Sequence, residues 1–412
     1  MQYWGRRPVI ISAGVIFTLG AILLAASMSY FDLVLGRFVL GIGIGLASLA
    51  SPVYIAEAAP SHFRGKLVTL NSLFLTVGQV VAGIVDGLFS TTTGGWRYML
   101  GLSGVPAVLM TLSFMFLPES PRWLVAVGRQ KKALTSLQQI RGTPDVHAEL
   151  EDMVASSTDD TGVDGEVQLK RGATVSELLR EPKIRRALVL GCSLQLLQQL
   201  CGVNTLMYYS ATICSMAGFG DEISIWLSAV TAAAQSVGVC FGIIFIERFG
   251  RRFLVLTSLA MVIVSLISLG VGFVLYDASS SDEVYGWFVV LCMMLYLFTF
   301  GFGLSPVPWA VNAEVYPNHA RSLGNSASTT VNWLSNCLVS ATFLTLVDSS
   351  LGKAGTFWLY AVFGTVGWLW LHRTMPETKG LPLEEVGRLF AREWDPVPSV
   401  EPGRLSEGSV RG

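Results

Sequence analysis

The chain has 412 residues, of which 52% are hydrophobic and 14% charged, where an average soluble domain carries roughly 25% charged residues. Its 28 Lys and Arg balance 29 Asp and Glu, so no basic excess exists to neutralise phosphates, and nucleic acid is excluded as a natural partner. The 42 Gly, 22 Phe and 11 Trp amid long apolar runs exclude intrinsic disorder and fit helices in a lipid bilayer.

A bilayer core takes about 20 apolar residues as helix. Such runs recur ten times, at about 8–29, 33–54, 67–89, 97–117, 187–211, 223–246, 253–275, 287–311, 325–347 and 355–373. The expected fold is therefore all-α, a polytopic membrane protein. The first run is longer than the roughly 7 to 15 apolar residues of a cleaved leader, so it reads as a true span. Four spans fill residues 1–117. A charged connector follows at 118–186, with short helices expected at 129–140 and 174–180 and a flexible acidic tract at 155–166. Six spans fill 187–373, and the Pro-, Ser- and Gly-rich tail 374–412 is expected to be mostly disordered.

An even number of spans puts both termini on one side. Of the 28 basic residues, 25 fall on that side and only Arg37, Arg97 and Lys353 on the other, so the positive-inside rule places both termini in the cytoplasm. The six cysteines (Cys192, Cys201, Cys214, Cys240, Cys292, Cys337) lie in or at the ends of apolar runs without C-x-x-C spacing. Neither a disulfide framework nor a zinc site is indicated. The four histidines, His62, His147, His319 and His372, show no metal spacing and no nucleophile partner, so neither metal, cofactor nor enzyme chemistry is expected.

The chain repeats itself. Residues 56–65 read A-E-A-A-P-S-H-F-R-G and 313–322 read A-E-V-Y-P-N-H-A-R-S, with five identities at a constant offset of 257. G-R-R recurs at 5–7 and 250–252, and P-E at 118–119 and 376–377. Parallel repeats of this kind build transporters from two related bundles. Two spans precede the second G-R-R and none precedes the first. Symmetry therefore predicts a parent of six plus six spans, ten present of an expected twelve, with Met1 an internal methionine used as a start or the start of a truncated gene model.

The repeated pieces resemble the sugar porter family of the major facilitator superfamily. They are W-G-R-R-P at 4–8, G-R-F-V-L-G-I-G-I-G at 36–45, P-E-S-P-R-W-L at 118–124, Q-Q-L-C-G-V-N at 198–204, E-R-F-G-R-R at 247–252, P-V-P-W at 306–309 and P-E-T-K-G at 376–380. Within that family, G-W-R-Y-M-L-G-L-S-G-V-P-A-V at 95–108, N-T-L-M-Y-Y-S-A-T-I at 204–213 and V-N-A-E-V-Y-P at 311–317 look most like proton myo-inositol cotransporters. The resemblance implies a major facilitator fold lacking its first two helices, and a secondary transporter in the plasma membrane working by alternating access. It implies a small polyol or sugar as substrate, the lipid bilayer as surroundings, and a proton as candidate co-substrate. In proton-coupled relatives the arginine matching Arg37 works with an acid on the first helix, which is not among these ten spans.

Amides suit hydroxyl-rich ligands because each both donates and accepts hydrogen bonds, and inside a bundle an amide demands partners. Gln198, Gln199 and Asn204 match the family's ligand-binding Gln-Gln and Asn. Gln79, Gln235, Trp309, Trp333 and Asn336 sit where similar porters place further polar contacts and an aromatic platform. Pro306 and Pro308 interrupt their helix and favour a bend usable as a gate. The resemblance makes Tyr208 and Tyr209 outer-gate residues. The alternative for all these amides is interhelical bonding that merely holds spans together.

Cytoplasmic charges form a second constellation: Arg6, Arg7, Glu57, Arg64, Glu119 and Arg122 in the first half, with Glu247, Arg251, Arg252, Glu314, Arg321 and Glu377 in the second. The resemblance implies a latch that ties the two bundles together in the outward-facing state; the alternative is topogenic charge with solvated partners. Gly41, Gly43 and Gly45 read as close helix packing, not as a dinucleotide loop, since no strand precedes them. Asp86 is the only acid well inside an apolar run, and an inward-facing structural role is expected for it. A facilitative hexose transporter and a transport-incompetent sensor stay open beside the inositol reading.

Overall fold

The computed structural model describes residues 4–60, 64–158, 179–279, 283–316 and 318–379. The acidic tract beyond residue 158, most of the short helix expected at 174–180 and the tail beyond 379 lie outside the described residues. Among the described residues there are helices and turns but no strand. Ten helical segments among the described residues are long and apolar enough to cross a membrane, in the order and close to the places expected.

The first four spans are α1 (Arg7–Ala26), α2 (Tyr30–Ala58), α3 (Arg64–Phe89) and the broken pair α4 (Gly95–Leu102) and α5 (Gly104–Phe116). Pro8 stands in the first turn of α1, where its missing N–H costs nothing. A reciprocal capping box starts α2: Asp32 N–H donates to Ser29 Oγ at 3.2 Å and Ser29 N–H donates to Asp32 Oδ2 at 2.9 Å. In lipid no hydrophobic effect separates helix from tail, so close approach of small residues must hold spans together. Gly20 of α1 meets Leu40, and Gly43 of α2 meets Phe17 and Ala13. Gly41 and Gly45 do not share that role. Two residues either side of Gly43, they point away from α1, and a methyl group on either would meet nothing within 4 Å.

The connector carries three short helices, α6 (Pro121–Ala126), α7 (Gln130–Arg141) and α8 (His147–Thr158). The expected helix at 129–140 is α7; α8 was not expected, and it takes the first residues of the acidic tract into helix. Trp123, Leu124, Val125 and Ala133 pack a small core between them.

The last six spans begin with a helix in three pieces, α9 (Pro182–Leu200), α10 (Val203–Tyr208) and α11 (Ser210–Met216). Gly202 makes the first break with φ +82, and Tyr360 lies so close that any side chain there would collide. Then come α12 (Asp221–Phe249), α13 (Arg251–Ala278), α14 (Glu283–Thr299), a π turn over Phe300–Leu304, α15 (Val307–Glu314), α16 (Asn318–Asp348) and α17 (Gly352–Thr374). One buried cluster runs through these spans, including Leu194, Leu259, Leu266, Tyr296, Phe343 and Tyr360. Among the described residues the first four spans hold a small one, Val9, Ile10, Ala50 and Tyr54.

Candidate functional site

The break before α15 creates the site. Pro308 has no N–H to give to the carbonyl of Leu304, four residues earlier, so that carbonyl is left without its helical donor. Gln198 of α9 supplies one: its Nε2 donates to Leu304 O at 2.9 Å and to Ser305 O at 3.2 Å. On the other side of the π turn, Ser258 of α13 is inserted, accepting from Leu304 N–H at 2.9 Å and donating to Thr299 O at 2.7 Å. The expected bend at Pro306 and Pro308 is thus a held bend, with donors from two neighbouring helices.

Around Gln198 the amides pair with one another. Asn332 of α16 donates to Gln195 Oε1 at 2.7 Å and to Gln198 Oε1 at 2.9 Å. Asn204 donates to Gln199 Oε1 at 2.6 Å across the Gly202 break. Asn336 donates to the Tyr208 hydroxyl at 3.4 Å, and Tyr209 donates to Ser340 O at 3.2 Å while packing on Phe343. Of the two tyrosines expected at the outer gate, Tyr209 is therefore fastened to α16 and Tyr208 is 58% exposed. Gln195, fully buried, was missed; it lies three residues before Gln198, on the same helical face, and that spacing was its signal.

Two candidates lie on the helices that form the seam between the first four spans and the last six. There α3 packs on α12, with Gly83 against Ala229 and Gly87 against Trp226. The helices run in opposite directions. Gln79 lies four residues further in than Gly83, and Gln235 six further in than Ala229, so both sit roughly 6–9 Å along from the contact. Each has a buried Oε1 without a hydrogen-bond partner among the described residues. A buried unpaired acceptor costs about 1–3 kcal/mol, which a ligand hydroxyl would offset. Trp309 on α15 is half-buried. Trp333 is 38% exposed, whereas Asn332 beside it is buried, so the ring and the amide leave α16 in different directions.

At the helix ends that carry G-R-R and P-E the repeated motifs make the same structure twice. Arg6 bonds Glu57 at 2.8 Å, and Arg251 bonds Glu314 at 3.2 Å. The second oxygen of each acid accepts from a hydroxyl, Ser120 at 2.6 Å and Thr378 at 2.9 Å. Glu119 accepts the backbone N–H groups of Arg6 and Arg7 at 3.0 and 3.1 Å. Glu377 accepts those of Arg251 and Arg252 at 2.8 and 3.0 Å. Gly5 and Gly250 both take φ +87, which lets the chain pass directly over those carboxylates. Arg7 and Arg252 reach the carbonyls of Met115 at 2.6 Å and His372 at 2.7 Å.

Among the described residues these bonds tie helices of one half to each other, whereas the resemblance implies a latch between the halves in the outward-facing state. The reason is local, since a carboxylate at a helix start has two orphan N–H groups within reach before any distant arginine. Arg122 is exposed without an ion pair among the described residues, and Arg321 donates to Tyr316 O at 3.3 Å. The side chains of Arg64 and Glu247 lie outside the described residues. Arg37 is exposed on α2, again without an ion pair among the described residues.

With this geometry in place, the family model for sugar (and other) transporters matches residues 1–390. The chain belongs to the sugar transporter family. Among relatives of this family, a human proton myo-inositol cotransporter is 38% identical over 94% of this chain and 72% of its own length. A probable inositol transporter of Arabidopsis thaliana is 33% identical over 94% of this chain and 80% of its own. Among solved structures, the xylose transporter XylE from E. coli in a partially occluded inward-open conformation matches with TM-score 0.75 at 26% identity, over 92% of this chain and 83% of that one. The major facilitator fold and a secondary-transporter function follow from this membership, and the apolar helices make the protein a multi-pass membrane protein.

Proposed function

We propose that the chain moves myo-inositol or a related polyol across the plasma membrane by alternating access, with both termini cytoplasmic and a proton as co-substrate. The two bundles would be residues 1–117 and 187–373, joined by the connector 118–186. The observation that carries the reading is the placement of amides inside the spans. Gln198, Gln199, Asn204 and Asn336 offer donors and acceptors from the second half, and Gln79 and Gln235 each hold a buried oxygen without a partner among the described residues. A ring of hydroxyls satisfies both kinds of group at once. The relatives named as inositol transporters support the polyol class. In this reading the two charge clusters stiffen each bundle's cytoplasmic end, so that the halves rock as units.

The test is uptake of labelled myo-inositol and labelled hexose by cells expressing the chain, against empty cells. Saturable inositol uptake is expected. Saturable hexose uptake with inositol at the level of empty cells would overturn the substrate. One observation favours that second reading, a facilitative or coupled hexose transporter: XylE bound to 6-bromo-6-deoxy-D-glucose matches this chain with TM-score 0.76 at 26% identity.

A further inference from the structure

Asp86 is left unexplained by the site and by the charge clusters. It lies within the span Leu70–Phe89, three residues from its outer end, half-buried, with no hydrogen bond and no ion pair among the described residues. A bare carboxylate at such a place is expensive, and ionisable groups within spans are by default tied to a pathway. Its neighbours are the contact points of the seam. Gly83 touches Ala229 and Gly87 touches Trp226, so Asp86 sits between the closest approaches of α3 to α12. It is also seven residues from Gln79, two helical turns, which puts both on one stripe of α3 about 10 Å apart.

We propose that Asp86 is a proton-binding site in the seam between the two halves, reached from the outer face above the polyol site. The proposal rests on the proton-coupled reading and sidedness given above. A charged Asp86 needs water and so favours a seam open at this end; a protonated Asp86 can be enclosed as α3 closes on α12 at Gly83 and Gly87. Proton binding and closure then favour each other, which is a coupling free energy between two events. The elements packed on α3 carry few other ionisable groups at this end. They are Asp221 and Glu222 on α12, Arg97 and Tyr98 on α4, and Tyr30, Asp32 and Arg37 on α2; α15 brings only Glu314, at the opposite end. Arg97 donates to Ala25 O at 3.1 Å and Asp32 accepts in its capping box, but neither bond removes a charge, so Asp32, Arg37, Arg97, Asp221 and Glu222 together set the field at Asp86.

The experiment compares two modes of transport by the chain in vesicles with the membrane potential clamped at zero. An inward gradient of one pH unit drives at most about tenfold accumulation at one proton per substrate. Counterflow, the exchange of labelled for unlabelled inositol at equal pH, needs no net proton movement. Asp86→Asn is expected to keep counterflow within about twofold of the unmodified chain and to lose accumulation, while Asp86→Glu keeps both. As a readout independent of flux, the infrared carboxyl band that changes when inositol is added to the purified chain should disappear in Asp86→Asn. Accumulation by Asp86→Asn equal to that of the unmodified chain overturns the proposal, and so does loss of counterflow in Asp86→Asn, which would mark a structural role. If the unmodified chain exchanges inositol but does not accumulate it, proton coupling itself fails, a result distinct from failure at Asp86.

Discussion

The two charge clusters of the repeated motifs match closely, yet the spans beside them are packed differently. In the last six spans a continuous buried cluster passes from α9 to α17, and the amides of the candidate site are bonded into it. In the first four spans the buried cluster is small, and the single candidate, Gln79, has a buried oxygen with no partner among the described residues. The first-half cluster has supports of its own instead. Tyr54 donates to Pro118 O at 2.8 Å, and Arg141 of α7 caps α2 at Ala58 O at 2.9 Å while its guanidinium is paired with Glu149 at 2.7 Å. A short motif can therefore build the same ion cluster in either setting, because its bonds are made within a few turns. Packing in the membrane depends on how many helices surround each face. The last six spans hold all their site amides but Gln235 by internal bonding, whereas the first four present only an unsatisfied one.

That contrast can be broken most forcefully at the amides. Gln198→Leu removes the donor of Leu304 O and one acceptor of Asn332, leaving buried polar atoms unpaired. A stability loss of about 2 kcal/mol and roughly hundredfold weaker polyol binding are expected. Gln79→Leu removes an oxygen that has no protein partner, so stability should hold or rise by about 1 kcal/mol while affinity falls roughly tenfold. Denaturant titration and equilibrium binding on the two purified variants separate the effects. Equal destabilisation by both would mean that Gln79 is as much a structural amide as Gln198.

A smaller effect sharpens the likeness of the clusters. Glu119→Gln and Glu377→Gln each weaken a charged cap that holds two consecutive backbone N–H groups at a helix start. Each should cost about 2 kcal/mol, and the two should agree within about 0.5 kcal/mol. A difference well beyond that, by the same denaturant titration, would show that the repeat conserves the bonds without conserving their worth.

The ten spans were legible because apolar length is a property of composition, and lipid enforces it. The clusters were legible as a repeat. Their direction was not: Arg6, Glu57 and Glu119 give no sign in sequence of whether each bonds within its half or across, and the short distance to the start of α1 decides it. The bend at Pro306 and Pro308 could be read from the missing N–H groups, whereas the donors that steady it, Gln198 and Ser258, come from helices more than 40 residues away in the chain. Gly41 and Gly45 misled because a G-x-G-x-G string looks like one packing stripe, although residues two apart lie on nearly opposite faces of a helix.

The finest discrimination lies in the hydroxyls. Ser120 and Thr378 hold equivalent places, each donating to the second oxygen of a paired glutamate. Ser120 does more, because its Oγ also accepts the Trp123 N–H at 3.2 Å and so caps α6. Thr378 begins no helix among the described residues. Ser120→Ala therefore loses both a charged hydrogen bond and a helix cap, and Thr378→Val only the former. Loss of the bond to glutamate should cost about 1 kcal/mol in each half, and loss of the cap about a further 1 kcal/mol in the first. Ser120→Thr, which can make both bonds, should restore most of the difference. If Ser120→Ala and Thr378→Val cost the same by denaturant titration, the cap on α6 contributes nothing and the two clusters are energetically as alike as they are in geometry.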